Sequence, residues 1–337
     1  MFCGVVSAAT LFGGESVPGR SRLGGSVVVP ARTLSGRVSR SASSLDRPVG
    51  HRYGRLMEIA GDTRTVSTAY GEVVVHLSGR SPGDASGLLL LHANPGDHRD
   101  FDPIAATLGE AWSIAAVDWP GYGGSSAADG LTVDALADVA YEVVESLSDS
   151  GFRSFTVLGN SVGAYAAVRL AQRAGDRIRG LVLVQSAGFV PLNLLTRALF
   201  RVMAHPAVAR WAVVPCARMY LGSARHEGVR PILERAKGIP RDPVRLAVYR
   251  RLWRSLDDPR LDLPADGPLL PELPILAVWG RRDPMNPWLL NRRGLARALP
   301  HAEIALLDAR HEPFAERPAE FLGAVSEFLA ARAEASS

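Results

Sequence analysis

A serine between two glycines closes an apolar run in Val157-Leu158-Gly159-Asn160-Ser161-Val162-Gly163-Ala164. A serine hydroxyl is a poor nucleophile at neutral pH. It needs a histidine to take its proton and a carboxylate to orient that histidine and stabilise its cation. Ser154 to Leu158 reads as a buried strand and Gly163 to Ala174 as a helix, so Ser161 falls at the junction. A strand turning sharply into a helix forces its central residue into a strained backbone conformation, and neither Gly159 nor Gly163 has a side chain to collide across the turn. The next N–H, that of Val162, lies at the helix N-terminus, where developing negative charge is favoured. Val162 is thus a candidate oxyanion donor.

The partners of such a serine are expected later, at strand ends. Asp283 follows the run Ile275 to Val278 through Trp279-Gly280-Arg281-Arg282, and His311 follows Ile304 to Leu307 through Asp308-Ala309-Arg310. Gln185-Ser186, ending an earlier run, offers no carboxylate, so Asp283 has no obvious rival as the acid. Asp308 lies nearer its strand, and Glu312 is expected to face solvent or a loop partner. For His205, His226 and His301, surface or packing roles are expected.

The elements that must position these residues alternate. Thr65 to Ala69 and Glu72 to Leu77, separated by Tyr70-Gly71, read as an antiparallel hairpin at a sheet edge. Gly87 to Leu91, Ile114 to Val117, Phe155 to Leu158, Leu181 to Val184, Ile275 to Val278 and Ile304 to Leu307 are continuous apolar runs, the pattern of strands buried on both faces. Leu136, Val139, Ala140, Val143, Val144 and Leu147 form one stripe of a helix that Thr132 can cap, and Phe321, Leu322, Val325, Phe328 and Leu329 mark a closing helix. Strands alternating with helices predict an α/β fold with a mostly parallel, doubly wound sheet that places ligands at the strands' carboxyl ends.

Residues 191–273 break the rhythm. Several helical patterns punctuated by Pro191, Pro206, Pro215, Pro231 and Pro243 make a connection too long for a simple crossover. They are expected to form a helical cap inserted into a core made of residues 53–190 and 274–337. The first part is strongly apolar, from Leu194 and Leu195 through Val202 and Trp211 to Leu221; most of its apolar residues are expected to pack inward, with a minority lining a substrate pocket. The second part, with Arg245, Arg250, Arg251 and Arg254, is basic.

Composition narrows the class of partner. The 337 residues, 47% hydrophobic and 21% charged, suffice for one large α/β domain with an insertion. No apolar run approaches the ~20 residues of a membrane-spanning helix. The net charge of +4 is uneven: residues 1–52 hold seven arginines against Glu15 and Asp46, and the rest holds 31 basic against 32 acidic residues. A near-neutral body argues against nucleic-acid binding. Residues 1–52 are rich in Ser, Gly and Arg and are expected to lack fixed structure. Their composition matches an organelle transit peptide, but Lys237 is the only lysine, a usage typical of high-GC bacterial genomes, and a start at Met57 would explain the extension equally well. With no secretory h-region, and with Cys3 and Cys216 the only cysteines, neither a structural disulfide nor export is expected. The expected location is cytoplasmic.

Taken together, the motifs resemble those of the α/β-hydrolase superfamily, over roughly residues 60 to 335. His92-Ala93-Asn94-Pro95-Gly96 is similar to the family's H-G-x-P-G oxyanion loop, and Asp118-Trp119-Pro120-Gly121-Tyr122-Gly123-Gly124-Ser125 to its D-x-x-G-x-G-x-S turn. Gly159 to Gly163 matches the nucleophile elbow, Gly280 to Asp283 the acid loop, and His311 to Pro318 the histidine segment. Ala93 stands where the family usually has glycine, which brings a methyl group toward the substrate carbonyl. The resemblance implies Ser161 as nucleophile, His311 as base then acid, and Asp283 as its orienting carboxylate. It also implies an oxyanion hole made by the N–H groups of Asn94 and Val162. A small-molecule substrate, no cofactor and no metal are implied.

Dehalogenases and epoxide hydrolases of the superfamily carry Asp as nucleophile, so Ser161 argues against both. Asn160 is similar to the elbow of C–C bond hydrolases, which usually have Trp straight after the catalytic histidine, where this chain has Glu312. Hydrolysis of a carboxylic ester with an apolar acyl or aromatic group is the expected activity. The alternatives are a C–C bond, lactone or thioester hydrolase, a cofactor-free haloperoxidase, and a ligand-binding homologue that turns over slowly or not at all.

Overall fold

The computed structural model describes residues 62–127 and 129–334; the extension expected over residues 1–52 lies outside them, as does Met57. Strands β1 (Asp62–Thr68) and β2 (Gly71–Gly79) form the expected hairpin, and β2 runs antiparallel to β4 (Ser113–Val117). From there β3 (Gly87–Leu91), β5 (Phe155–Asn160), β6 (Ile178–Val184), β7 (Ile275–Gly280) and β8 (Glu303–Leu307) pair in parallel, giving the order β1-β2-β4-β3-β5-β6-β7-β8.

Alternate side chains of a strand point to opposite faces, so a run buried throughout needs cover on both. Leu88 and Leu90 pack with Ile104 and Leu108 of α1 (Asp102–Gly109), while Leu89 and Leu91 pack with Val139 and Val143 of α2 (Ala135–Ser148) and Leu170 of α3 (Val162–Ala174). The stripe on α2 is buried as its periodicity predicts, and Thr132 Oγ1 accepts from Ala135 N–H at 3.1 Å. One run departs from expectation. β8 is the last strand of the sheet, paired on one side only, and Ile304 is exposed.

Between β6 and β7 lie α4 (Leu194–Ala204), α5 (Pro206–Leu221), α6 (Val229–Gly238) and α7 (Pro243–Ser255). Asn193 and Asp242 start α4 and α7 by accepting backbone N–H groups of the first turn. Phe200, Met203, Val213, Tyr220 and Leu221 pack inward, but Leu194, Leu195, Val202 and Trp211 stand in solvent. After β7 come α8 (Trp288–Ala298), α9 (Pro313–Glu316) and α10 (Pro318–Glu334), the last burying Phe321 and Val325 on the α1 side of the sheet. No helix among the described residues is long and apolar enough to cross a membrane.

Glu312 does not face solvent or a loop partner. It is 1% exposed, and neither carboxylate oxygen has a hydrogen-bond partner among the described residues. The cause lies next door: α9 packs Phe314 against Phe101, with ring centroids 5.0 Å apart, and draws residue 312 inside. Burial pushes the Glu312 carboxyl well above the usual range and the charge of Asp100 adds to it, while Arg235 opposes the shift. Glu312 therefore holds its proton more tightly folded than unfolded. The stability this adds is complete below the ordinary glutamate pKa of ~4.3 and is lost as pH rises through the folded value. Melting curves at rising pH should show the wild type losing Tm relative to Glu312→Gln. Parallel curves would show that another group governs this slope.

Candidate active site

β5 delivers Ser161 to the carboxyl edge of the sheet, where α3 begins one residue later. Ser161 has φ 55° and ψ −113°, a conformation that costs a non-glycine residue on the order of 1–3 kcal/mol. Four backbone hydrogen bonds hold it there: its N–H donates to Val184 O at 2.9 Å, and its carbonyl accepts from Ala164, Tyr165 and Ala187. The flanking glycines are needed for space. A Cβ on Gly159 would press into the Gly163 carbonyl, and one on Gly163 would overlap the Leu91 carbonyl. The elbow is thus packed against the end of β3.

Asp283 and His311 come from the loops after β7 and β8, and both are buried. His311 Nδ1 lies 2.6 Å from Asp283 Oδ2, while Asp283 Oδ1 accepts the N–H groups of Met285 at 2.8 Å and Asn286 at 3.2 Å. A carboxylate so engaged accepts only, which places the imidazole proton on Nδ1 and leaves Nε2 as the basic nitrogen. Asn160 Nδ2 donates to the carbonyls of Val184 and His311, at 3.2 Å each, and so ties the elbow to the histidine loop. Ser161 Oγ makes no hydrogen bond among the described residues, and the hydrogen bond between a nucleophile and its base often tightens only when substrate is bound. Two ties were not visible in the sequence. Gln185, at φ 47°, donates through Nε2 to Gly280 O and Arg310 O, and Asn286 Nδ2 donates to Gln185 O and Ser186 O.

The loop after β3 supplies Asn94, joined to Pro95 by a cis peptide bond. The N–H groups of Asn94 and Val162 donate to no acceptor among the described residues. The Asn94 side chain accepts from Tyr122 Oη at 2.6 Å and donates to the Tyr249 carbonyl of α7 at 3.3 Å. His92 lies below. Its Nε2 accepts from Trp119 N–H at 3.0 Å, so its proton is on Nδ1 and is donated to Ala93 O at 2.7 Å; burial lowers its pKa and keeps the ring neutral. A small, open cleft lies beside this loop, lined by Pro95, Gly96 and Tyr122, by Ile232 and Arg235 of α6 and by Arg245 of α7.

Asp118 fastens the loop from behind. Oδ1 accepts from the N–H and Nδ1 of His98, and Oδ2 from His76 Nε2 and Gly124 N–H, all at 2.9 Å. Burial alone would raise its pKa, but the hydrogen bonds from His76 and His98 outweigh that and hold the carboxyl far below the usual range. Ligand atoms of His76, His98 and Asp118 lie within 4.8 Å of one another, the spacing of a metal site. The two rings are stacked, however, with centroids 3.4 Å apart and 18° between planes. Parallel rings cannot both aim an in-plane lone pair at one ion. The group reads as a hydrogen-bond clamp.

Known proteins give this geometry a context. Residues 88–318 match the family model described as alpha/beta hydrolase fold. Over 105 residues the chain is 30% identical to a pimeloyl-[acyl-carrier protein] methyl ester esterase of Neisseria meningitidis serogroup C, a stretch covering 31% of this chain and 38% of that protein. The chain spans about a third of the length of the curated relatives it matches at 30% identity or more. Haloalkane dehalogenase 2 of Mycobacterium tuberculosis is 25% identical over 262 residues, 73% of this chain and 88% of that protein. Among solved structures, a thermophilic esterase from Thermogutta terrifontis superposes with a TM-score of 0.65 at 21% identity, covering 81% of this chain and 99% of that one, a likeness of fold. The sheet order, the serine elbow and the extent of the family match lead to one conclusion: the chain belongs to the α/β-hydrolase family.

Proposed function

We propose that this protein is a serine hydrolase that cleaves carboxylic esters through an acyl-enzyme on Ser161. The observation that carries the reading is a serine held at positive φ on a strand-to-helix turn, whose neighbour Asn160 donates to the carbonyl of a histidine oriented by a buried aspartate. Ser161 Oγ attacks the acyl carbon as His311 Nε2 takes its proton. The N–H groups of Asn94 and Val162 receive the charge that forms on the carbonyl oxygen. His311 then protonates the leaving alcohol, and in the second half it activates water to release the acid. Asp283 fixes the ring and stabilises its cation. A serine at this position supports ester cleavage over dehalogenation, which in this superfamily uses an aspartate nucleophile.

We read residues 191–273 as a cap over the site, and an apolar acyl or aromatic group as the favoured substrate element. Lactone, thioester and C–C bond cleavage remain the competing reactions, to be separated by a substrate panel. The low cysteine content, Cys3 and Cys216, supports action in the cytoplasm.

A fluorophosphonate probe should add one equivalent to the wild type and none to Ser161→Ala by intact mass. Unlabelled wild type would favour the binding-protein reading. Asp283→Asn should keep the fold and lower kcat on the order of 10⁴-fold, as loss of a triad aspartate does elsewhere; near-normal turnover would remove Asp283 from the triad. Tyr122→Phe, which removes one of the two hydrogen bonds of the Asn94 side chain, should lower kcat/KM by about tenfold or less with KM little changed. An unchanged kcat would show that the loop holds Asn94 without that bond.

A further inference from the structure

From Val190 to His226 the chain contains five arginines and no Asp or Glu. This stretch contains α4 and α5, which meet at His205 and whose solvent faces have an unusual composition. On α4 the exposed positions include Leu194, Leu195, Ala198 and Val202; on α5 they include Pro206, Ala207, Arg210, Trp211 and Arg218. Leu194 is 88% exposed and Trp211 77%. A helix whose other face is already buried in the protein gains nothing in water from presenting Leu and Trp to solvent. Arg201 is paired with Asp257, whereas the guanidinium groups of Arg210 and Arg218 make no hydrogen bond or ion pair among the described residues.

Apolar side chains beside cations without acids complement a surface with fixed negative charge above hydrocarbon. We propose that the solvent faces of α4 and α5 dock on an anionic phospholipid bilayer. Trp211 sits at the boundary between headgroups and acyl chains, Leu194 and Leu195 enter the apolar layer, and Arg210 and Arg218 meet lipid phosphates. A second copy is a poorer occupant, because a two-fold contact through this face sets Arg210 and Arg218, which have no acidic partner among the described residues, against their own copies. The proposal concerns where the protein works and does not depend on the reaction at Ser161.

The test is co-sedimentation of the full chain with vesicles of phosphatidylcholine alone and of phosphatidylcholine mixed with phosphatidylglycerol. Binding is expected only to the mixed vesicles. It should weaken about tenfold in Trp211→Ser and in the double variant Arg210→Glu/Arg218→Glu, and it should fall at high salt. All three positions are exposed, so circular dichroism should show wild-type folding, and Leu194→Ser replaces Trp211→Ser if it does not. Failure to sediment with the mixed vesicles would overturn the proposal. So would equal binding by the wild type and the variants. A wild-type dimer in light scattering that Trp211→Ser dissolves would assign this face to a second copy and equally overturn it.

Discussion

The rest of the site depends on a serine backbone held where only glycine is comfortable. A φ of 55° at Ser161 persists only because its surroundings leave no alternative. The Ser161 N–H is committed to Val184 and its carbonyl to three donors, and two side-chain-free neighbours let β3, β5 and α3 approach one another. That approach has a chemical result as well as a steric one. It brings the unpaired N–H at the start of α3 beside the loop that presents the unpaired N–H of Asn94, from strands whose ends are in register at Leu91 and Gly159.

Around this turn side-chain amides tie the strand-end loops together. Asn160, Gln185 and Asn286 carry no charge, yet each crosses from one strand-end loop to another and donates to main-chain carbonyls. Bonds of this kind position loops without adding a field that would perturb His311. Two buried carboxylates, Asp283 and Asp118, join them. The first orients an imidazole. The second collects four donors from three segments, so that the donor loop and the turn after β4 are fixed to each other.

Much of this was legible in the sequence because it is local. The order of Ser161, Asp283 and His311 after apolar runs, the hairpin at the amino end of the sheet and the stripe on α2 follow from spacing within a few residues. What spacing cannot carry is which groups meet across the fold. Gln185 has no carboxylate to mark it, although its amide is a tie between the acid and histidine loops. His76 and His98 lie 22 positions apart, and nothing in either segment announces that they share one carboxylate. Glu312 went inward because Phe314 did, and a glutamate's own polarity argues the other way. The exposed face of α4 and α5 is the converse, since an apolar residue carries no local mark of whether anything will cover it.

The bond from Asn94 Nδ2 to the Tyr249 carbonyl reaches from the donor loop into α7. It reads main chain, so the identity of residue 249 is immaterial to it. Its angular position is not. Adding or deleting one residue early in α7 would turn that carbonyl about 100° around the helix axis. The inserted helices are therefore not a freely exchangeable module. Their side chains can diversify to suit different substrates, but the helical phase of α7 is tied to the core by this amide at one turn and by Val133 N–H donating to Ser255 Oγ at another.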